Sequence, residues 1–227
     1  MFLHDFTLQR NLLHIEPLQR QFFQTGLFRI LPSLRINPVA TINSSNIFVL
    51  PQGYAFPAGP VTITEISLRR GSLFRLIPTP LGTDFYFPFI PNNVGSCVVN
   101  HPFNGQIVTT LALSGCAIEV HSFPSLNRYV FYHDSDGRNM YRIPPTNRGA
   151  QVCRIQSGSY WDNYGLYKTA APNVQFIFVY YNNAWHVGAF GVYTKYVHPS
   201  VDIIKTFTPK GGKYRGFFND RFRLLQL

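Results

Sequence analysis

Seventeen glycines and seventeen prolines are spread along the 227 residues of this chain, so most uninterrupted stretches are short. Beyond Pro32 those stretches are apolar and strand-like. Val61 to Ile66 alternates with period two, and Val174 to Tyr181 is apolar apart from Gln175, as in a strand buried on both faces. Asn182-Asn183 then predicts a hairpin turn into a further strand from Trp185 to Tyr193. Asp84 to Ile90 is aromatic and interrupted by Pro88, which predicts an edge strand.

The expected fold class is α+β, a strand-rich sandwich of mixed and antiparallel sheets with a few flanking helices. One domain over residues 1–227 is the economical organisation. Residues 1–30 form a helical N-terminal segment in this reading, with Leu8, Leu12, Leu13 and Ile15 at helical spacing and Pro17 as the breaker. Charged residues are only 13% and aromatics 16%, which excludes a disordered chain and a solvent-laced helical bundle.

The net charge of +10 is concentrated at the ends. Residues 1–75 carry seven basic against three acidic side chains, and residues 161–227 carry eight against three. Such a surface favours encounter with an acidic partner. The basic residues are too scattered for a nucleic-acid groove, and Phe85, Tyr86, Phe87, Phe176 and Phe178 read as core. No apolar run approaches the ~20 residues of a membrane helix, and Asp5 and Arg10 interrupt the N-terminal apolar stretch, unlike a signal peptide. Cys97, Cys116 and Cys153 cannot all pair internally, which points to reduced thiols and a cytosolic place of action.

The chemistry-bearing region is Thr109 to Gly137. Ala117 to Phe123 and Tyr129 to His133 favour strand, and Pro124-Ser125 favours a turn. A hairpin centred on that dipeptide sets Cys116 directly opposite His133, about 5 Å away at Cβ, with Ile118 opposite Phe131 and Val120 opposite Tyr129. Glu119 and His121 fall on the other, wetter face. A thiol beside an imidazole can lose its proton to the ring and attack a carbonyl, and the ring can then protonate a leaving amine. Ser114 and Gly115 allow close backbone approach, with amides placed to meet a developing oxyanion. Cys97 with His101 is a rival pair, but Asn100-His101-Pro102 reads as a turn. A zinc site from Cys97, His101, Cys116 and His121 is a weaker alternative. Asp134-Ser135-Asp136-Gly137 opens like a calcium loop but lacks the later ligands, so a tight turn is expected.

Leu113-Ser114-Gly115-Cys116, then a strand, then an aromatic-rich strand ending in His133 resembles the signature of the cytotoxic-necrotising-factor type of glutamine deamidase. Small members of that family carry a threonine six residues before the cysteine, the position of Thr110 here. The resemblance implies Cys116 as nucleophile, His133 as general base and acid, and Thr110 orienting the imidazole. It implies packed mixed sheets, no metal or organic cofactor, and a monomeric bacterial effector. That effector leaves its cell by a non-classical route and acts in the host cytosol on a host protein, a translation-initiation helicase or a Rho-type GTPase. A transglutaminase or cysteine protease using the same pair, and a non-catalytic basic β-rich binding protein, are the competing expectations.

Overall fold

The computed structural model describes residues 29–49, 55–68, 71–160, 171–197, 201–207 and 222–223. The helix expected over residues 1–30 lies outside them, apart from its last two positions, as does nearly all of the tail after Gly211-Gly212. The chain is an α+β, strand-rich protein with two sheets and few helices.

Among the described residues, helices α1 (Ile30–Ile36) and α2 (Pro38–Ser44) come first. Then follow β1 (Ile47–Val49), β2 (Gly59–Leu68), β3 (Gly71–Pro78), β4 (Asp84–Phe87), β5 (Val94–Asn100), β6 (Ile107–Thr110), β7 (Ala117–Phe123), β8 (Arg128–Asp134) and β9 (Ala150–Ile155). A short helix α3 (Ser157–Tyr160) precedes β10 (Ala171–Tyr181), β11 (Ala184–Val197), β12 (Val201–Phe207) and β13 (Phe222–Arg223). The large mixed sheet runs β1-β3-β2-β4-β6-β10-β11-β12, with β13 on β11, and the small antiparallel sheet runs β5-β8-β7-β9. No helix among the described residues is long and apolar enough to cross a membrane.

Period-two alternation sorts the large sheet into two faces. On β10, Val174, Phe176, Phe178 and Tyr180 point to the small sheet, while Ile177 and Val179 pack under the helices. The same split puts Val108 of β6 in the layer between the sheets and Ile107 on the helix side. Across that shared layer, the Phe131 ring of β8 meets Phe178 at 5.2 Å and Trp185 at 5.0 Å, both edge-to-face. Each large apolar side chain fully buried here contributes about 1.5–3 kcal/mol. The helices are tied on by polar contacts. Glu65 of β2 accepts from the amides of Ile30 and Leu31, which open α1. Arg35 of α1 grips both carboxylate oxygens of Asp84 and also donates to the Gly105 carbonyl.

Asn182 and Asn183 both take positive φ, 49° and 58°, in the turn joining β10 to β11, as the dipeptide predicts. The edge-strand expectation for Asp84 to Ile90 is corrected. β4 lies inside the large sheet between β2 and β6, and Pro88 stands just past its end, where its missing N–H costs no ladder bond.

From Pro88 the chain crosses to the small sheet and passes over Gly95, the residue of β5 paired with His133. A Cβ built at Gly95 would lie 1.8 Å from the Pro88 carbonyl oxygen, so only glycine admits this crossing. Gly95→Ala is therefore expected to destabilise the protein by about 3 kcal/mol, read as a lowered thermal midpoint. An unchanged midpoint would refute the close crossing.

Candidate active site

The β7–β8 hairpin carries the site. Its register differs from a turn centred on Pro124/Ser125. Pro124–Leu126 forms a 3₁₀ turn, and Asn127 closes it in the left-handed region at φ 43°, its amide donating to the Pro124 carbonyl at 3.1 Å. The connection is thus residues 124–127, and the pairing moves by two. Ile118 faces His133, Val120 faces Phe131, and Ser122 faces Tyr129. A shift of two preserves the faces. Cys116, two residues before Ile118, still shares the inner layer with Ile118 and Phe131, but stands diagonal to His133 instead of opposite it.

The other face is also corrected. Glu119 and His121 are both buried, not wet, and lie 3.1 Å apart, with Arg154 at 3.3 Å from the Glu119 carboxylate. The Tyr132 ring stands edge-on to the His121 ring at 5.1 Å. Met140 and Ile143 pack near Tyr132, whose hydroxyl donates to the Asn147 carbonyl at 2.7 Å.

His133 points inward from β8 and is wholly buried. Its Nδ1 lies 2.7 Å from Oγ1 of Thr110, at the end of β6 in the opposite sheet. The Thr110 hydroxyl also lies 2.5 Å from the Phe87 carbonyl oxygen. One hydroxyl has one proton, and a carbonyl can only accept it. The Thr110 O–H therefore donates to Phe87, and Nδ1–H of His133 donates to Thr110. That assignment leaves Nε2 with a lone pair, and Nε2 has no hydrogen-bond partner among the described residues. Phe89 and Phe87 present rings edge-on to the imidazole at 5.3 and 6.3 Å. Burial in this apolar layer lowers the imidazole pKa to about 3, so the ring is a neutral base.

Cys116 is 7% exposed against 0% for His133. No hydrogen bond joins Sγ to the ring. Burial raises the thiol pKa to about 11; the amides of Ser114 and Cys116 pull it down, and Asp134 and Asp136 push it up. Thiol and imidazole are both uncharged at rest. The Leu113–Cys116 segment is pinned to β10 by two backbone bonds between Leu113 and Val174, at 2.8 and 2.9 Å. Ser114 is exposed, and a Cβ built on Gly115 meets no atom within 4 Å among the described residues.

The rival groups fall apart. Cys97 and Cys153 are buried, and burial pushes both thiols up. His101 sits exposed in a turn at φ 46°, away from the inner layer that holds Cys97. Among the described residues no group of three histidines, cysteines or acidic residues is placed to hold a metal ion. Asp134 forms the expected tight turn, accepting from the amides of Gly137 at 3.1 Å and Asn139 at 2.8 Å. One neighbour had no local signal in the sequence: Tyr160 of α3, whose hydroxyl donates to the Cys116 carbonyl at 2.7 Å. Comparison with protein-family models and with curated proteins finds no match for the chain.

Thr110→Val removes the hydroxyl while keeping the shape, leaving the Phe87 carbonyl and Nδ1–H unpaired. It should cost about 1–3 kcal/mol in denaturant unfolding. Ring nitrogen NMR should find His133 neutral at pH 5 with its proton on Nδ1; a charged ring at that pH would refute the assignment. Because the folded ring binds its proton less readily than the free value of 6.5, the unfolded chain is protonated first. Stability should therefore fall as pH drops from 6.5 toward about 3.

Proposed function

We propose that this chain is a cysteine-dependent protein-glutamine deamidase of the cytotoxic-necrotising-factor type. The observation that carries the reading is the hydrogen bond from His133 Nδ1 to Thr110 across the two sheets. It turns an unpartnered Nε2 lone pair into the base of a face that Cys116 shares. Two residues that the resemblance names from different strands thus meet at 2.7 Å, in the order orienting group, then base.

In this reaction Sγ attacks the side-chain carboxamide carbon of a glutamine as its proton passes to His133 Nε2. Both groups start neutral, so proton transfer accompanies attack instead of preceding it as a standing ion pair. In this reading the Ser114 and Cys116 amides, which pull the thiol pKa down, receive the oxyanion. His133 returns its proton to the departing ammonia. Water, deprotonated by the same Nε2, then hydrolyses the thioester and leaves glutamate on the target. An amine in place of water would give transglutamination, and the mechanism uses no metal or organic cofactor. Sγ and Nε2 share no hydrogen bond here, and in this reading the pair tightens when substrate binds.

The target in this reading is a host protein, a translation-initiation helicase or a Rho-type GTPase. The chain then acts in the host cytosol after release from a bacterium. Incubation with host-cell lysate should add about 1 Da to one glutamine of one protein. Cys116→Ser should lower the rate about a thousandfold or more. A Cys116→Ser or His133→Ala variant that kept the activity would reject the assignment, and cleavage fragments would make the chain a protease instead. Gly115→Ala should leave the thermal midpoint unchanged and lower kcat/KM about tenfold by obstructing substrate approach; full activity would remove Gly115 from the site.

A further inference from the structure

Tyr160 is the one described side chain whose hydroxyl is spent on the backbone of the residue that bears the thiol. It is 1% exposed, stands at the end of α3, and donates to the Cys116 carbonyl oxygen at 2.7 Å. Its ring packs edge-on against Phe176 of β10 at 5.4 Å. Two residues away on the same strand, Val174 makes the backbone pair that holds Leu113. The Leu113–Cys116 segment is therefore held by β10 at its start, directly, and at its end through Tyr160. Between those supports lie Ser114, which is exposed, and Gly115, where an added Cβ would meet no atom within 4 Å among the described residues. The Gly115 amide pulls the phenol pKa down against the effect of burial, so the one hydroxyl bonded to the Cys116 carbonyl also senses the residue before it.

We propose that Tyr160 is a positioning residue for Cys116, fixing the peptide that aims the thiol and the Ser114 and Cys116 amides at one point. The proposal rests on Cys116 being the nucleophile. Its physical basis is pre-organisation: a glycine-containing segment with an exposed serine has many conformations, and only one converges the two amides on the sulfur. Burial pushes the phenol pKa up, so the hydroxyl remains a donor throughout the working pH range. Removing it leaves the Cys116 carbonyl without its partner and releases the turn. The amides that favour the thiolate then move off the sulfur.

Tyr160→Phe tests this, because it keeps the ring against Phe176 and deletes only the hydroxyl. Iodoacetamide labelling of the full chain, followed by peptide mass spectrometry, reads each cysteine separately and needs no substrate. Between about pH 7 and pH 10, Cys116 should label about threefold or more slowly in Tyr160→Phe, its profile displaced to higher pH. Cys97 and Cys153 should keep their rates. With a glutamine substrate, kcat should fall about tenfold while KM stays within about twofold. An unchanged Cys116 profile would overturn the proposal. So would faster labelling of all three cysteines together, which marks a hydroxyl that merely holds the fold, or no labelling of Cys116 in either protein. If the wild-type chain deamidates nothing but its Cys116 profile still shifts, the positioning role stands and the deamidase reading falls.

Discussion

A single apolar layer shared by two sheets dictates what the polar groups inside it are able to do. An imidazole placed there without a partner would cost several times the net worth of a hydrogen bond. His133 meets that cost with one contact, to a hydroxyl from the facing sheet. Thr110 is itself committed to the Phe87 carbonyl of the neighbouring parallel strand. The chain of donors therefore has one direction, from imidazole to hydroxyl to carbonyl, and the tautomer of the ring follows from it. The same bond joins β6 to β8, so the geometry of the base and the packing of the sheets are one structural fact.

The layer also separates three cysteines that the sequence presents as equals. All three are buried, and burial raises each thiol. Cys97 and Cys153 lie within strands, on inner positions of the small sheet. Cys116 stands just before β7, where amides of its own turn face the sulfur and offset part of the desolvation. That difference of position, one residue outside the ladder, is what makes it the chemically distinct thiol. The neutral resting state of both Cys116 and His133 is the other consequence: a dry layer disfavours charge on either group.

Local pattern and tertiary context can be told apart residue by residue. The alternation in Val61 to Ile66, the two-sided burial of Val174 to Tyr181 and the turn at Asn182-Asn183 were legible, because each depends on periodicity or on residues that tolerate positive φ. The shared face of Cys116 and His133 was legible for the same reason, since parity survives any shift by two. The register itself was not: Asn127 in the left-handed region lengthens the turn, and nothing in Pro124-Ser125 announces it. Glu119 and His121 look like a solvated face, yet both are buried, with Tyr132 against His121 and the segment around Met140 and Ile143 packed near Tyr132.

By itself the sequence determined a strand-rich α+β chain with a thiol and an imidazole on one face of a hairpin. Strand alternation and turn chemistry are properties of a few neighbouring residues, and these can be read in a line. The tertiary structure alone decided that β4 is interior, that Gly95 must stay bare beneath Pro88, and that Tyr160 reaches Cys116; the contact of Thr110 with His133 was expected only through the resemblance, not from the spacing of the residues. These contacts join residues 7, 23 and 44 positions apart, from elements whose relative placement is set by burying a common apolar layer. No local propensity encodes that placement.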